Sequence, residues 1–268
     1  MDINRKRIIV TGAASGIGYE LLKQLSQYDA RIVAADVNPI DRTPIRGSNA
    51  QIYPFQGDLS QQSGVDDLFD YALETMGGIE LFIANAGFAY YEAINHADWA
   101  HLERIFQLNV ISPLYAAARM QEINPDTDYN VVMTASAMAK LALPGYAVYA
   151  GTKAALDRFA EAYRYEMPAN AHLMLVYPIA TRTNFFDTAN DGTPVPFPSQ
   201  TSAHVAERII RGIERGAQSV NPSMGFSFFW TLNRIFPLAG RLYQMVENRR
   251  FNRWKVNHQP TSQKTPVS

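Results

Sequence analysis

Cysteine is absent from all 268 residues, which excludes disulfides, thiolate catalysis and cysteine-ligated zinc or iron–sulfur centres. An excess of either charge is lacking too. The 24 Lys and Arg against 25 Asp and Glu leave a formal net charge of -1, so no global basic field exists to gather nucleic acid. Only five histidines are present, and none pairs with another at three- or four-residue spacing beside a carboxylate, so no metal site is expected. No uncharged run is long enough to span a bilayer, and no internal repeat is found. Arg5, Lys6 and Arg7 lead into Ile8, Ile9 and Val10 and then directly into a glycine-rich turn. That leaves no room for a signal-peptide apolar region, and a cytoplasmic protein is expected.

What is present is enough apolar material for a core: 47% of the residues are hydrophobic and 18% charged. At this length an α/β chain is expected to form one domain over residues 1–268, with a core of about 5–220 and an extension of about 222–268. Short apolar runs alternate with stretches of helical period. Strands are predicted near 7–11, 31–35, 51–55, 79–84, 129–135 and 171–177, and helices over 17–28, 60–75, 98–120, 146–166 and 201–216. The alternation predicts a doubly wound parallel sheet with helices on both faces and a ligand crevice at the carboxyl ends of the strands. Residues 184–200, which hold Gly192, Pro194, Pro196 and Pro198, read as a long loop of the kind that covers active sites. Thr201 or Ser202 is the expected N-cap of the helix that follows.

The run Thr11-Gly12-Ala13-Ala14-Ser15-Gly16-Ile17-Gly18 lies between the first strand and the first helix. Glycines there permit a tight turn and close approach of backbone to a pyrophosphate, which the helix N-terminus favours. The spacing differs from Gly-x-Gly-x-x-Gly, so a purely structural turn remains the alternative. Asp36 ends the second strand, where a carboxylate accepts hydrogen bonds from ribose hydroxyls and repels a 2′-phosphate. Its other reading is a turn former. No Lys or Arg immediately follows Asp36 or replaces Ser15, so NAD rather than NADP is the expected cofactor.

Tyr149 and Lys153 lie four apart on one helix face, where an ammonium can stabilise a tyrosinate. A unit charge at about 4 Å is worth up to roughly 4 kcal/mol at an effective dielectric of 20, enough to lower a tyrosine pKa by about 3 units before desolvation opposes it. A second Tyr-x-x-x-Lys pair, Tyr19 and Lys23, reads as accidental. Ser136 follows the strand with Val131, Val132 and Met133 and so falls near the crevice, and nothing comparable precedes Tyr19. Taken singly, Asn109 could satisfy backbone groups, Ser136 could cap a turn, Lys153 could be solvated and Tyr149 could be a packing residue.

Together the Thr-Gly-x-x-x-Gly-x-Gly turn, Asp58, Asn85-Ala86-Gly87, Asn109, Ser136, Tyr149 and Lys153 resemble the short-chain dehydrogenase/reductase family, in its compact single-domain branch, over roughly residues 5–220. The resemblance implies a Rossmann-type fold and a hydride-transferring oxidoreductase acting on an alcohol or carbonyl. Tyr149 would then be the general acid/base, Ser136 the residue orienting the substrate oxygen, Lys153 a contact to ribose and tyrosine, and Asn109 the support of a water-linked proton relay. It also implies that Asp58 and Leu59 lie by the adenine, that Asn85, Ala86 and Gly87 form a cofactor wall, that Thr183 meets the carboxamide, and that the chain forms a homodimer or homotetramer. Where the family usually has proline-glycine after the sixth strand, this chain has Pro178-Ile179. Two rival functions are a catalytically silent dinucleotide-binding scaffold and a peripheral membrane protein acting through its C-terminal segment.

Phe88, Tyr90, Tyr91, Phe185 and Phe186 flank the expected site and suit an apolar or bulky substrate. The C-terminal extension is expected to be helical. It carries Phe226, Phe228, Phe229, Trp230, Leu232, Ile235 and Phe236 before Arg241, Arg249, Arg250, Arg253 and Lys255. Aromatics beside cations can mark an interfacial anchor. Packing over the substrate mouth or a subunit contact is the favoured expectation, because Asn233, Arg234 and Pro237 interrupt the apolar run and Glu247 dilutes the basic one.

Overall fold

The computed structural model describes residues 1–41, 45, 47–183, 185–190, 192–235 and 238–258. Phe236, Pro237 and the end of the extension from 259 lie outside the described residues. Strands β1 (Arg7–Thr11), β2 (Arg31–Asp36), β3 (Gln51–Gln56), β4 (Leu81–Ala84), β5 (Tyr129–Thr134) and β6 (Ala171–Val176) appear where the apolar runs predict them. Two-residue strands β7 (Thr181–Arg182), β8 (Gln200–Thr201) and β9 (Ser219–Val220) are additional. They are too short to leave a periodic signal.

The main sheet has the order β3-β2-β1-β4-β5-β6-β9 with every pairing parallel. The order reverses between β1 and β4, which opens a crevice beyond their carboxyl ends. Strand alternation distributes the core. Ile8, Val10, Ile32 and Ala34 pack on one face with Leu21, Leu22, Val205 and Ile209, whereas Ile9, Val33 and Ala35 pack on the other with Leu68, Phe69, Met120 and Leu156. Helices α1 (Gly16–Leu25) and α7 (Ser202–Glu214) therefore cover the first face. Helices α2 (Gln62–Met76), α4 (Ser112–Ile123) and α5 (Ala147–Tyr163) cover the second. Among the described residues strand β3 pairs only with β2 and is half-buried, and Pro54 is tolerated there because an edge strand need not use every N–H.

Three expectations change. The helix predicted over 98–120 divides into α3 (Trp99–Phe106), a π-helical turn (Gln107–Ile111) and α4. Pro113, in the first turn of α4, has no N–H to give the carbonyl four residues back, at Asn109, so an unbroken α-helical ladder is excluded there. The loop predicted over 184–200 contains a short helix, α6 (Phe185–Ala189), held by burial of Phe186 and Ala189. The sheet gains β9 as a seventh strand beside β6. Thr201 caps α7 as expected, its hydroxyl accepting the His204 N–H at 3.3 Å. The extension forms α8 (Met224–Ile235) and α9 (Leu238–His258).

Candidate active site

A cleft of about 610 Å³ runs across the carboxyl ends of β1, β2, β4 and β5. Its walls include Gly12, Ser15, Gly16, Ile17, Asp36, Asp58, Leu59, Asn85, Ala86 and Gly87 at one end, and Ser136, Tyr149, Lys153, Pro178 and Thr183 at the other. Thr11, Gly18 and Asn109 stand behind this wall rather than on it. Thr11 is buried, and its hydroxyl donates to Ile83 O and accepts the N–H groups of Asn85 and Ala86, both at 3.0 Å. One side chain thus ties the first loop to the second.

The glycines leave room that any side chain would fill. Gly12 has φ of +68°, and a Cβ there would sit 2.9 Å from Ala86 Cα. A Cβ on Gly18 would lie 2.0 Å from Gly12 O. Ser15, the N-cap of α1, makes no side-chain capping bond, and the first turn carries no acidic residue. The N-terminal N–H groups are therefore left for an anion rather than claimed by a side chain. Asp36 accepts the Ala14 N–H at 3.0 Å and the Asn38 N–H at 2.9 Å. It holds the glycine loop and its own turn together, while each carboxylate oxygen retains a lone pair. Asp58 Oδ1 accepts the N–H and hydroxyl of Ser60 at 2.9 and 2.7 Å. This end fits a dinucleotide: a side-chain-free cradle, an open helix N-terminus and, in Asp36, a fixed carboxylate with lone pairs left to accept from hydroxyls.

At the other end α5 presents Tyr149 and Lys153, both buried, at 8% and 4% exposure. Ser136 begins the 3₁₀ turn 137–139 and accepts the Met138 N–H at 3.0 Å, so it caps the turn and still has its hydroxyl proton to give. That hydroxyl favours the charged form of the Tyr149 phenol and so opposes the effect of its burial. Lys153 Nζ lies 5.6 Å from the Tyr149 ring centre and donates to Thr134 O at 2.8 Å. The expectation that this ammonium lowers the tyrosine pKa is corrected here. Burial pushes Tyr149 up to about 12 against the opposing Ser136 hydrogen bond, and burial brings Lys153 down to about 8. The lysine charge faces a carbonyl and the ring, so desolvation outweighs attraction.

Asn109 pins the cofactor wall. Its Oδ1 accepts the Phe88 N–H at 3.1 Å and its Nδ2 donates to Phe88 O at 2.8 Å and to Thr152 Oγ1 at 3.2 Å. Thr152, fully buried, in turn donates to Tyr149 O at 2.7 Å. Sequence reading missed Thr152, whose only signal is its place inside the Tyr149–Lys153 spacing. It also missed Asp157, one turn beyond Lys153, which receives Lys140 Nζ at 2.7 Å, Arg158 at 2.7 Å and the Tyr177 hydroxyl at 2.5 Å. Burial pushes its carboxyl up, but these donors together hold it below the usual range. Asp157 thereby fastens the Ser136 turn and the end of β6 to the reactive helix. Tyr19 and Lys23 lie on α1, away from the cleft walls.

The walls beyond Tyr149 are largely apolar, with Phe88, Tyr90, Met138, Ile179, Phe185 and Phe186, and Arg104 is a cation among them, 5.9 Å from the Phe88 ring centre. Phe185 meets the Tyr149 ring edge-on at 5.6 Å. Beyond them α9 packs inward, with Tyr91 against Phe251 at 5.3 Å and Trp254 at 4.9 Å. Tyr243 donates to Phe197 O and Gln244 to Ala142 O, at 2.9 and 2.8 Å. The packing expected of the extension is what α9 does on its inner face.

Comparison with known proteins agrees with this geometry. A family model described as short chain dehydrogenase matches residues 6–193. A short chain dehydrogenase of Claviceps purpurea is 24% identical over 162 residues, 59% of this chain, and the match spans only 61% of that relative's length. Among solved structures, a short-chain dehydrogenase from Sphingobium yanoikuyae in complex with NADPH superposes with a TM-score of 0.73 at 19% identity, over 96% of this chain and 97% of that one. A short chain dehydrogenase/reductase from Burkholderia phymatum in complex with NAD gives 0.72 at 18%, over 100% and 99%. Because the family match spans residues 6–193, from β1 through the glycine turn and past the Tyr149 helix, the chain belongs to the short chain dehydrogenase family of oxidoreductases.

Proposed function

We propose that the protein interconverts an alcohol and a carbonyl compound, with NAD as preferred cofactor and Tyr149 Oη as the atom that takes or gives the proton. The observation that carries this reading is the meeting of Tyr149, Lys153 and Ser136 in the same cleft as the glycine cradle. Bound NAD supplies the hydride acceptor or donor. Gly12, Gly16 and the α1 N-terminus hold its pyrophosphate, Asp36 its adenine ribose, and Asp58 and Leu59 flank the base. NAD is preferred because the Asp36 carboxylate is held in place by two backbone N–H groups and would repel a 2′-phosphate.

In the oxidative direction Ser136 Oγ orients the substrate hydroxyl and Tyr149 Oη accepts its proton. In the reductive direction the same oxygen returns it. Lys153, beneath the ring, stabilises the charge that develops on Tyr149 during transfer. Asn109 and Thr152 fix the backbone of Phe88 and Tyr149 on either side of the reacting position. The aromatic walls exclude water and favour an apolar or bulky substrate. Core and extension act as one unit of residues 1–268, a reading supported by the contacts of α9 with Tyr91 and Phe197.

The test is direct. Purified protein is offered NAD with secondary alcohols, and NADH with ketones, of increasing size while NADH absorbance is followed. Turnover that rises with apolar bulk and vanishes in Tyr149→Phe supports the assignment. Cofactor binding without turnover on any member of the series favours a silent scaffold instead.

A further inference from the structure

The near-zero net charge of the chain conceals a division. Residues 1–221 contain 17 Lys and Arg against 24 Asp and Glu, whereas residues 222–258 contain Arg234, Arg241, Arg249, Arg250, Arg253 and Lys255 against Glu247 alone. Glu247 is buried and paired with Arg250 at 2.9 Å. Among the described residues, the outer surface of the extension therefore bears cations and no free carboxylate.

The same outer surface is apolar. On α8, Met224, Phe228 and Leu232 recur every fourth residue and are 79%, 73% and 42% exposed. On α9, Leu238, Leu242, Met245 and Val246 are each half exposed or more, next to exposed Arg241, Arg249 and Arg253. The opposite face of α9 is already spent on Tyr91 and Phe197. Soluble surfaces rarely leave large apolar side chains in such a row. No helix among the described residues is long and apolar enough to cross a membrane.

We infer that the outer face of α8 and α9 docks on an anionic lipid bilayer, lying in the interface with its apolar side chains inserted and its arginines at the headgroups. The apolar row matches the acyl boundary, and the cations without competing carboxylates match an anionic leaflet. The acidic body, facing away, is repelled by that leaflet and orients the molecule with the extension inward. This inference is independent of which residues perform the chemistry.

The experiment is co-sedimentation of the full-length protein with vesicles of phosphatidylcholine alone and of phosphatidylcholine mixed with phosphatidylserine. Pelleting is expected with the mixed vesicles, not with the neutral ones, and should weaken as salt is raised. Reversing two cations, Arg249→Glu with Arg253→Glu, should weaken it by at least about tenfold. Phe228→Asp with Leu242→Asp should abolish it, with thermal melting and cofactor binding unchanged, and Met224→Asp provides an independent weakening. Absence of pelleting by the unaltered protein, or equal pelleting on neutral vesicles, overturns the inference. So does a result in which Phe228→Asp with Leu242→Asp dissociates an oligomer by light scattering yet leaves vesicle binding intact, because a second copy would then be the true occupant.

Discussion

Lys153 Nζ lies 5.6 Å from the centre of the Tyr149 ring and gives its 2.8 Å hydrogen bond to Thr134 O. Both groups are buried, and both are driven towards their neutral forms in the cofactor-free protein.

The first expected consequence is a pH dependence of stability. Lys153 is depressed to about 8 from 10.5, so the folded state releases its proton before the unfolded chain does, and stability gained above 10.5 is lost as pH falls through 8. Tyr149 is raised to about 12 from 10.0, so its contribution is intact below 10 and lost as pH rises through 12. Lys153→Met should therefore raise the Tm of the cofactor-free protein relative to the unaltered one most at pH 7, by the equivalent of up to roughly 3 kcal/mol. The difference should shrink towards pH 10. A constant difference across that range would show that Lys153 is not buried as a costly cation.

Tyr149→Phe removes the transferable proton with little change of shape. Turnover should fall by roughly 10² to 10⁴, while NADH binding, followed by fluorescence, stays near its original value. Tyr19→Phe should leave turnover unchanged, because that residue is not on the cleft. In the unaltered enzyme, with Tyr149 held up to about 12, alcohol oxidation should rise from pH 7 to 10 because Tyr149 must lose its proton, whereas ketone reduction, which needs that proton in place, should show no Tyr149-dependent fall until pH approaches 12.

Asp36→Ala should lower the ratio of NAD to NADP catalytic efficiency, by about tenfold or more. Because Asp36 also accepts the Ala14 N–H, some absolute efficiency with NAD should be lost as well. Equal efficiencies for both cofactors in the unaltered protein would remove the role assigned to this carboxylate.

Gly12→Ala places a Cβ 2.9 Å from Ala86 Cα at a φ of +68°. The left-handed conformation alone costs about 1–2 kcal/mol, and the new methyl would press the two cofactor loops apart. Weaker NADH binding accompanied by a lower Tm is the expected result. An alanine variant with both unchanged would show that the close approach of these loops is not required.

Removing residues after Pro222 should uncover Tyr91 and Tyr146, each 2% exposed, and strip away Phe251 and Trp254, which pack on Tyr91 in the cluster that also holds Tyr149 and Phe186. Turnover of bulky substrates should then fall more than that of small ones, and dye binding should report new apolar surface. Unchanged handling of bulky substrates would separate the extension from the pocket.

Much of the fold and the site was legible in the sequence. The continuous apolar runs at Ile8, Ile9 and Val10 and at Ile32, Val33 and Ala34 mark strands buried on both faces, and neighbouring residues in them go to opposite cores. Glycines at 12, 16 and 18 and the spacing of Tyr149 and Lys153 are local features that survive any packing. The π-helical turn around Asn109 was not legible, because widening one turn scarcely alters the apolar pattern that marks a helix. Thr152 and Asp157 read as ordinary polar residues of α5 until the fold sets Asn109, Lys140 and Tyr177 against them.

By itself, then, the sequence determined the six main strands and the long helices between them, the glycine turn's room for a close-approaching phosphate and the chemical identity of the reactive groups, since each depends on side-chain size, backbone freedom or spacing along one element. Only the tertiary structure decided how Asp36 and Thr11 tie separate loops together, how Asp157 fastens the Ser136 turn to α5, and that Tyr149 and Lys153 are held towards neutrality. Those properties depend on distance and desolvation across elements remote in the chain, and neither quantity exists until the chain has folded.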